Sequence, residues 1–169
     1  MQRALDFEEF ASTRTRRLFQ VAYLMCGDWH QAQDLVQTAL AKMFAVWPRL
    51  QRREDEAGLD AYARTVLLRS YLSQRRLKRS TEVVLADLPD NPQPTGHGSD
   101  LRLTLTAALG QLPPRNRAVV VLRYLEDHSI EAVADMMGIS AGAVKSLNTR
   151  SLARLRDILG DDRELLFRL

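Results

Sequence analysis

Residues 129–155 read Ser129-Ile-Glu-Ala-Val-Ala-Asp-Met-Met-Gly138-Ile-Ser140-Ala-Gly-Ala-Val-Lys145-Ser-Leu-Asn-Thr-Arg150-Ser-Leu-Ala-Arg154-Leu. This spacing predicts a helix-turn-helix. Ser129 caps a short helix whose apolar residues Ile130, Val133, Ala134 and Met137 recur at steps of three and four. Gly138 falls where that helix should stop, at a position favouring a left-handed residue. Ser140 caps a second helix with an inward stripe of Val144, Leu147, Ser151, Leu155 and Ile158. Ala134 is small where two crossing helices come closest, and Ile139 plugs the turn. Such a pair, joined by a short Gly-containing turn, is the unit that lays its second helix in the DNA major groove. The candidate contacts are Ser140, Ala141, Lys145, Ser146, Thr149, Arg150 and Arg154, mostly donors suited to phosphates and base edges. The competing reading is plain helical packing with a solvated basic face. Spacing, central Gly, Ser cap and basic outer face together favour DNA.

Some 27 residues cannot bury a core alone, so the rest of the chain must supply it. The chain has 169 residues, of which 46% are hydrophobic, an ordinary value for a soluble globular protein. It has no apolar run long enough to cross a membrane and no hydrophobic signal core at its start, so membrane insertion and export are not expected. Cys26 is alone, which rules out an intrachain disulfide and fits a reducing cytoplasm. The net charge of +3 is unevenly spread. Residues 1–80 carry +5, residues 81–100 carry −4 with no basic side chain, and residues 101–169 carry +2. Two basic modules flanking an acidic segment suggest two contacts with a polyanion.

A first helix is expected from about Asp6 to Met25, burying Phe7, Phe10, Leu18, Ala22 and Met25, and ended by Gly27. Asp28, with Gln31 three residues on, should cap the next helix. That helix buries Ala32, Leu35, Val36, Ala39, Leu40, Met43, Phe44 and Trp47, and Pro48 should close it. Its polar side shows Gln33, Asp34, Gln37 and Thr38, too little positive charge for DNA and better suited to solvent or a protein. A loop is expected over 48–58, in which Glu54, Asp55 and Glu56 are solvated carboxylates. Asp60 should cap a third helix, 61–79, burying Tyr62, Val66, Leu67 and Leu77 and presenting Arg64, Arg69, Arg75, Arg76, Lys78 and Arg79. Alone, such a run is a solvated face. Beside Trp47, Tyr62 and Tyr71 it suits a single strand, where each base stacked on an aromatic contributes about 1–3 kcal/mol.

Residues 81–99, with Pro89, Pro92, Pro94, Gly96 and Gly98, read as a flexible acidic linker. Asp100 caps a fourth helix carrying Leu101, Leu105, Ala108, Leu109 and Leu112. Pro113-Pro114 breaks it, and a fifth helix runs 115–125 with Ala118, Val119, Leu122 and Leu125 inward. With residues 129–159 it makes a module that buries the helix-turn-helix. The tail 161–169 carries Leu165, Leu166, Phe167 and Leu169 and docks either on this module or on a partner. No alternating strand pattern is present, so an all-α fold of two small helical domains is expected: 1–80, linker 81–99, and 100–169.

Catalytic signatures are missing. There is no Gly-rich phosphate loop, GxSxG or HExxH. Cys26 and His30 are four apart, but Gly27 lies between them and no further ligand completes a metal site. No cofactor, no metal and no enzymatic activity are expected.

The chain resembles the extracytoplasmic-function (ECF) sigma factors of bacterial RNA polymerase, group 4 of the sigma-70 family, from Phe7 to about Asp157. Gly27-Asp-Trp-His-Gln-Ala-Gln-Asp34-Leu-Val-Gln37-Thr-Ala-Leu resembles the family's second conserved region. Ala61-Tyr-Ala-Arg-Thr-Val-Leu-Leu-Arg-Ser-Tyr-Leu-Ser-Gln-Arg-Arg resembles its promoter-melting helix. Leu112-Pro-Pro-Arg-Asn-Arg-Ala-Val-Val-Val-Leu-Arg-Tyr-Leu-Glu-Asp is similar to the entry to its fourth region, and 143–156 to its closing helix.

The resemblance implies a promoter-specificity subunit. Asp34, Leu35, Gln37, Thr38 and Leu40 would bind the β′ clamp of core RNA polymerase, and the fourth region would meet its β flap. Trp47, Tyr62, Arg64, Arg69, Tyr71, Arg75, Arg76 and Arg79 would capture and melt the minus-ten element. Residues 140–154 would read the minus-thirty-five element as duplex, and the acidic linker would thread toward the RNA exit path. A partner that clamps both domains, an anti-sigma factor, is also implied. Two positions depart from the pattern: Gln33 stands where an acid is usual before Asp34, and Arg69 where many members have Asn. The alternatives are a dimeric helix-turn-helix regulator of duplex DNA and a protein-interaction adaptor whose basic faces are only solvated. Absent coiled-coil heptads and a second basic module argue against the regulator.

Overall fold

The computed structural model describes residues 5–82 and 100–168. Among these the chain is helical throughout, without strands, as the sequence predicts. Helix α1 spans Phe7–Cys26, and its Asp6 cap accepts from the Glu9 N–H at 2.8 Å. Gly27 ends it in the left-handed region at φ 69°, donating to the Tyr23 carbonyl. Asp28 caps α2, Trp29–Arg53, by accepting from the Gln31 N–H at 2.8 Å. A two-residue connection between long helices makes them neighbours, and α1 and α2 pack along much of their length. Helix α3, Glu56–Glu82, closes the first group. Its core is Phe10, Val21, Ala22, Met25, Leu35, Ala39, Met43, Leu67, Leu68 and Tyr71, all 2% exposed or less.

The second group follows. Helix α4 is Asp100–Gly110. Helix α5 is Pro114–Val120, with Pro114 in the first turn, where a missing N–H costs nothing. It runs on as a π-helical stretch, Val121–Leu125, in which the Glu126 N–H donates to the Val121 carbonyl at 3.0 Å. Helices α6, Ile130–Met137, and α7, Ala141–Leu159, complete the group, and a 3₁₀ segment, Gly160–Arg168, trails α7. Residues 117–122 are all buried, because α5 is covered by α7 on one side and by α1 and α3 on the other. The two groups share one continuous core.

Four sequence expectations need correction. Pro48 does not close α2, which continues for a further turn to Arg53. An interior proline removes one helical hydrogen bond and costs about 3 kcal/mol. Here it lies on the exposed side, where the carbonyl left without a donor, on Phe44, belongs to a residue 64% exposed. Trp47 and Leu50, on either side of it, are buried and continue the apolar stripe. Trp47 packs its ring 5.3 Å from both Phe7 and Phe10, and Gln51 donates to the Leu5 carbonyl. The expected loop over 48–58 therefore shrinks to Glu54-Asp55. Asp55, not Asp60, caps α3 by accepting from the Gly58 N–H at 2.9 Å. Asp60 instead takes Arg14 of α1 at 2.8 Å, with Glu56 also on that guanidinium at 3.4 Å. Finally, Phe44 and Leu77, both expected inside, are 64% exposed. The linker residues 83–99, the side chains of Lys78, Arg79 and Leu101, and those of 165–169 lie outside the described residues.

Candidate nucleic-acid interface

The helix-turn-helix forms as its sequence spacing predicts. The Ser129 and Ser140 hydroxyls accept from the Ala132 and Ala143 N–H groups at 3.0 and 3.1 Å. Gly138 turns the chain at φ 65°, and the Ile139 N–H then reaches back to the Ala134 carbonyl. Val144, Ser151 and Leu155 of α7 are fully buried. The Ser151 hydroxyl is satisfied inside, donating to the Leu147 carbonyl at 2.6 Å, and the Asn148 amide donates to the Tyr124 hydroxyl at 2.9 Å. These two polar ties fix the roll of α7 on α5 and its π-helical extension. Roll is what a recognition helix must have set, because it decides which side chains face outward. Outward here are Lys145, Ser146, Thr149, Arg150 and Arg154. The first four line an open hollow of about 500 Å³. Ser140 is exposed but its hydroxyl is occupied as the cap, and Ala141 is half-buried.

Helix α3 divides the other basic candidates between two stripes. Tyr62, Arg69 and Arg76 are spaced by seven residues and fall on one line, with both arginines exposed and the tyrosine half-buried. Arg64, Tyr71 and Arg75 fall on another that turns inward. Arg64 pairs with Glu126 of the second group at 2.9 Å, and Arg17 of α1 lies 3.7 Å from the same carboxylate oxygen. Tyr71 is 1% exposed. Burial pushes its phenol above the ordinary range. Arg75 lies over the Tyr71 ring and donates to the Cys26 carbonyl and Gln31. Trp47 is likewise buried. In this conformation neither Trp47 nor Tyr71 offers a ring face to a base, so the stacking role expected of them has no surface.

On α2 the outward stripe is Asp34, Gln37, Thr38, Ala41, Phe44 and Pro48. Leu35 is fully buried and Leu40 half-buried, so Leu35 serves the core. The sequence reading missed Phe44, whose ring leans edge-on against Phe7 at 5.1 Å yet remains largely in solvent.

Arg117 was also missed. It is 7% exposed, and its guanidinium donates to the Met25 carbonyl at the end of α1 and to the Gly110 carbonyl at the end of α4. Neither helix has a basic residue of its own in its last turn. Arg117 supplies the cation that both C-terminal dipoles favour. Burial lowers its pKa from the usual arginine value. A signal was present: the apolar run Ala118–Leu122 admits no solvent side for α5, so an arginine at its head has nowhere to point but in.

Of the metal candidates, Cys26 is buried and His30 exposed, with left-handed Gly27 between them. Among the described residues no helix is long and apolar enough to cross a membrane.

Two family models match the chain: Sigma-70 region 2 over residues 10–81, and Sigma-70, region 4 over residues 108–157. The chain is 40% identical to the RNA polymerase sigma-E factor of Streptomyces coelicolor over 94% of its own length and 89% of that protein. It is 31% identical to the ECF RNA polymerase sigma factor SigE of Mycolicibacterium smegmatis over 91% of its own length and 62% of that protein. Among solved structures it is similar to the sigma factor RpoE of Bartonella quintana, crystallised with the anti-sigma factor NepR. That likeness has a TM-score of 0.70 at 27% identity and covers 94% of this chain and 99% of the other.

Proposed function

The chain belongs to the sigma-70 family of RNA polymerase sigma factors, in its extracytoplasmic-function branch, and from that premise we propose a division of labour among its helices. It acts as an alternative sigma factor that binds core RNA polymerase and promoter DNA, a regulatory and not a catalytic role. The observation that carries the geometric part is a pair of exposed cationic stripes in one chain: Tyr62, Arg69 and Arg76 on α3, and Lys145, Thr149, Arg150 and Arg154 on α7.

Helix α7 enters the major groove of the minus-thirty-five element with Lys145, Ser146, Thr149, Arg150 and Arg154. Ser140 and Ala141 set its N-terminus against the backbone, where helix N–H groups meet phosphate. The outer stripe of α3 meets the melted minus-ten strand: Arg69, Arg76 and Arg79 on phosphates, and Tyr62 against a base. Arg64 and Arg75 join that surface only once they are released from their present partners. Trp47 and Tyr71 hold the scaffold. Asp34, Gln37 and Thr38, with Phe44 as an apolar anchor, meet the β′ clamp, while Leu35 and Leu40 keep α2 in place. The functional division follows the expected one, with 1–80 and 100–169 as separate units joined by 81–99 and the second unit meeting the β flap. The protein works in the cytoplasm, where the polymerase is, and takes an anti-sigma factor as a partner, as its Bartonella quintana relative does.

The test is reconstitution. Purified chain added to core polymerase should yield promoter-specific run-off transcripts from genomic fragments. A chain that neither binds core nor changes its choice of start site refutes the proposal.

A further inference from the structure

The two groups of helices meet through an ion pair that ties down the cationic side chains of the first. The Glu126 side chain is 9% exposed. One of its oxygens receives Arg64 of α3 at 2.9 Å and Arg17 of α1 at 3.7 Å. Those two arginines stand at a cavity of about 330 Å³ between α1 and α3, which Arg14 and Asp60 also line. Arg14 is already balanced by Asp60 and Glu56. Among the described residues, the acid on Arg17 and Arg64 comes from the other group. Two guanidinium groups converging on one anionic oxygen form the arrangement that binds a phosphodiester. The location agrees, since Arg64 lies on the same helix as the exposed stripe Tyr62, Arg69 and Arg76.

We propose that Glu126 is an internal occupant of a nucleic-acid phosphate site formed by Arg17 and Arg64. Its carboxylate takes the place of a backbone phosphate and latches the second group of helices onto the first, so the free chain masks part of its own nucleic-acid surface. Because Glu126 is tethered to the site, it competes at an effective concentration that a free anion reaches only in the millimolar range. DNA prevails when several phosphates bind together, and the groups then part. The inference adds a contact to the surface assigned above and rests on that reading for the strand's identity. Its test needs no polymerase, so either can fail alone.

The probe is a fluorescein-labelled, mixed-sequence 15-nucleotide single strand, with anisotropy read from 50 to 300 mM NaCl and small-angle scattering on the free chains. Glu126→Gln should bind about five- to twentyfold tighter than wild type at low salt, and its radius of gyration should exceed the roughly 15–16 Å of a compact chain this long. Arg64→Gln should expand likewise without binding tighter. In Glu126→Gln with Arg64→Gln the gain should vanish, and the slope of log K on log salt should shrink by about 0.7 relative to Glu126→Gln, one single-strand phosphate contact. Unchanged affinity and size in Glu126→Gln overturn the latch. A gain that survives Arg64→Gln overturns the phosphate site. If Glu126→Gln does not fold, Arg64→Gln decides: a chain no larger than wild type overturns the proposal.

Discussion

Replacing Arg117 with methionine keeps the length of the side chain and removes its charge and donors. The Gly110 carbonyl belongs to an exposed residue and can turn to water, so its loss costs little. The Met25 carbonyl sits at the buried end of α1 and cannot. A buried acceptor left without a donor costs about 1–3 kcal/mol. Loss of a cation at two helix C-termini adds about 0.3–1 kcal/mol each. Against this, the guanidinium no longer has to be stripped of water, a relief large enough in some proteins to make the apolar replacement stabilising. The net expectation is destabilisation by about 2 kcal/mol, or about 4–8 °C in Tm for a chain of this size. Arg117→Lys keeps a charge but cannot span both carbonyls, and it should fall between. Thermal melts by circular dichroism at fixed concentration measure this. A methionine variant that melts at or above the wild-type temperature would refute the account, showing that desolvation outweighs the two caps.

Other expectations concern the two DNA stripes and the contact between the helix groups. Lys145→Ala or Arg150→Ala should weaken minus-thirty-five recognition. A phosphate contact lowers the salt slope by about one for every sequence, whereas a base contact costs about 1–3 kcal/mol at one position, and titrations against point-substituted duplexes separate them. Arg69→Ala with Arg76→Ala should reduce permanganate reactivity of the melted minus-ten thymines; full reactivity would remove the outer stripe of α3 from melting. His128 lies beside the contact, and burial first, then Arg64 and Arg17, hold it below its ordinary 6.5 against the opposing pull of Glu126 and Asp127. A depressed histidine favours the folded state fully above about pH 6.5 and progressively less as pH falls through that value. Melts between pH 7.5 and 5 should therefore drop more steeply in wild type than in His128→Gln, and parallel curves would argue against this coupling.

Much of this was legible from residue type and spacing, for a physical reason: caps and left-handed glycines are local. Asp6, Asp28, Ser129 and Ser140 each accept from the N–H three residues on, and Gly27 and Gly138 stop their helices, without help from distant parts of the chain. What failed depended on tertiary packing. Pro48 is a helix breaker by propensity, but buried Trp47 and Leu50 on either side of it outweigh one missing hydrogen bond. Trp47 and Tyr71 look like stacking platforms beside arginines, and the same planar surface fills a core equally well. Arg75 points inward because the carbonyls at the end of α1 lie within its reach, a fact no single-helix pattern contains. The shared contact between the two halves of the chain rests on Arg117 and Glu126, whose neighbours in space are far away in sequence.

The π-helical stretch carries a consequence for how such chains can diverge. A π turn holds one residue more than the α turn it replaces, and each residue added to a helix rotates the rest of the chain about its axis by about 100°. Removing one residue from Val121–Leu125 would restore a regular helix, leave the buried side chains before it in place, and swing Glu126 away from Arg64. Insertion or deletion of a single codon there thus works as a rotary adjustment. It can set how firmly one half of the molecule grips the other while the residues that read DNA and bind polymerase stay unchanged.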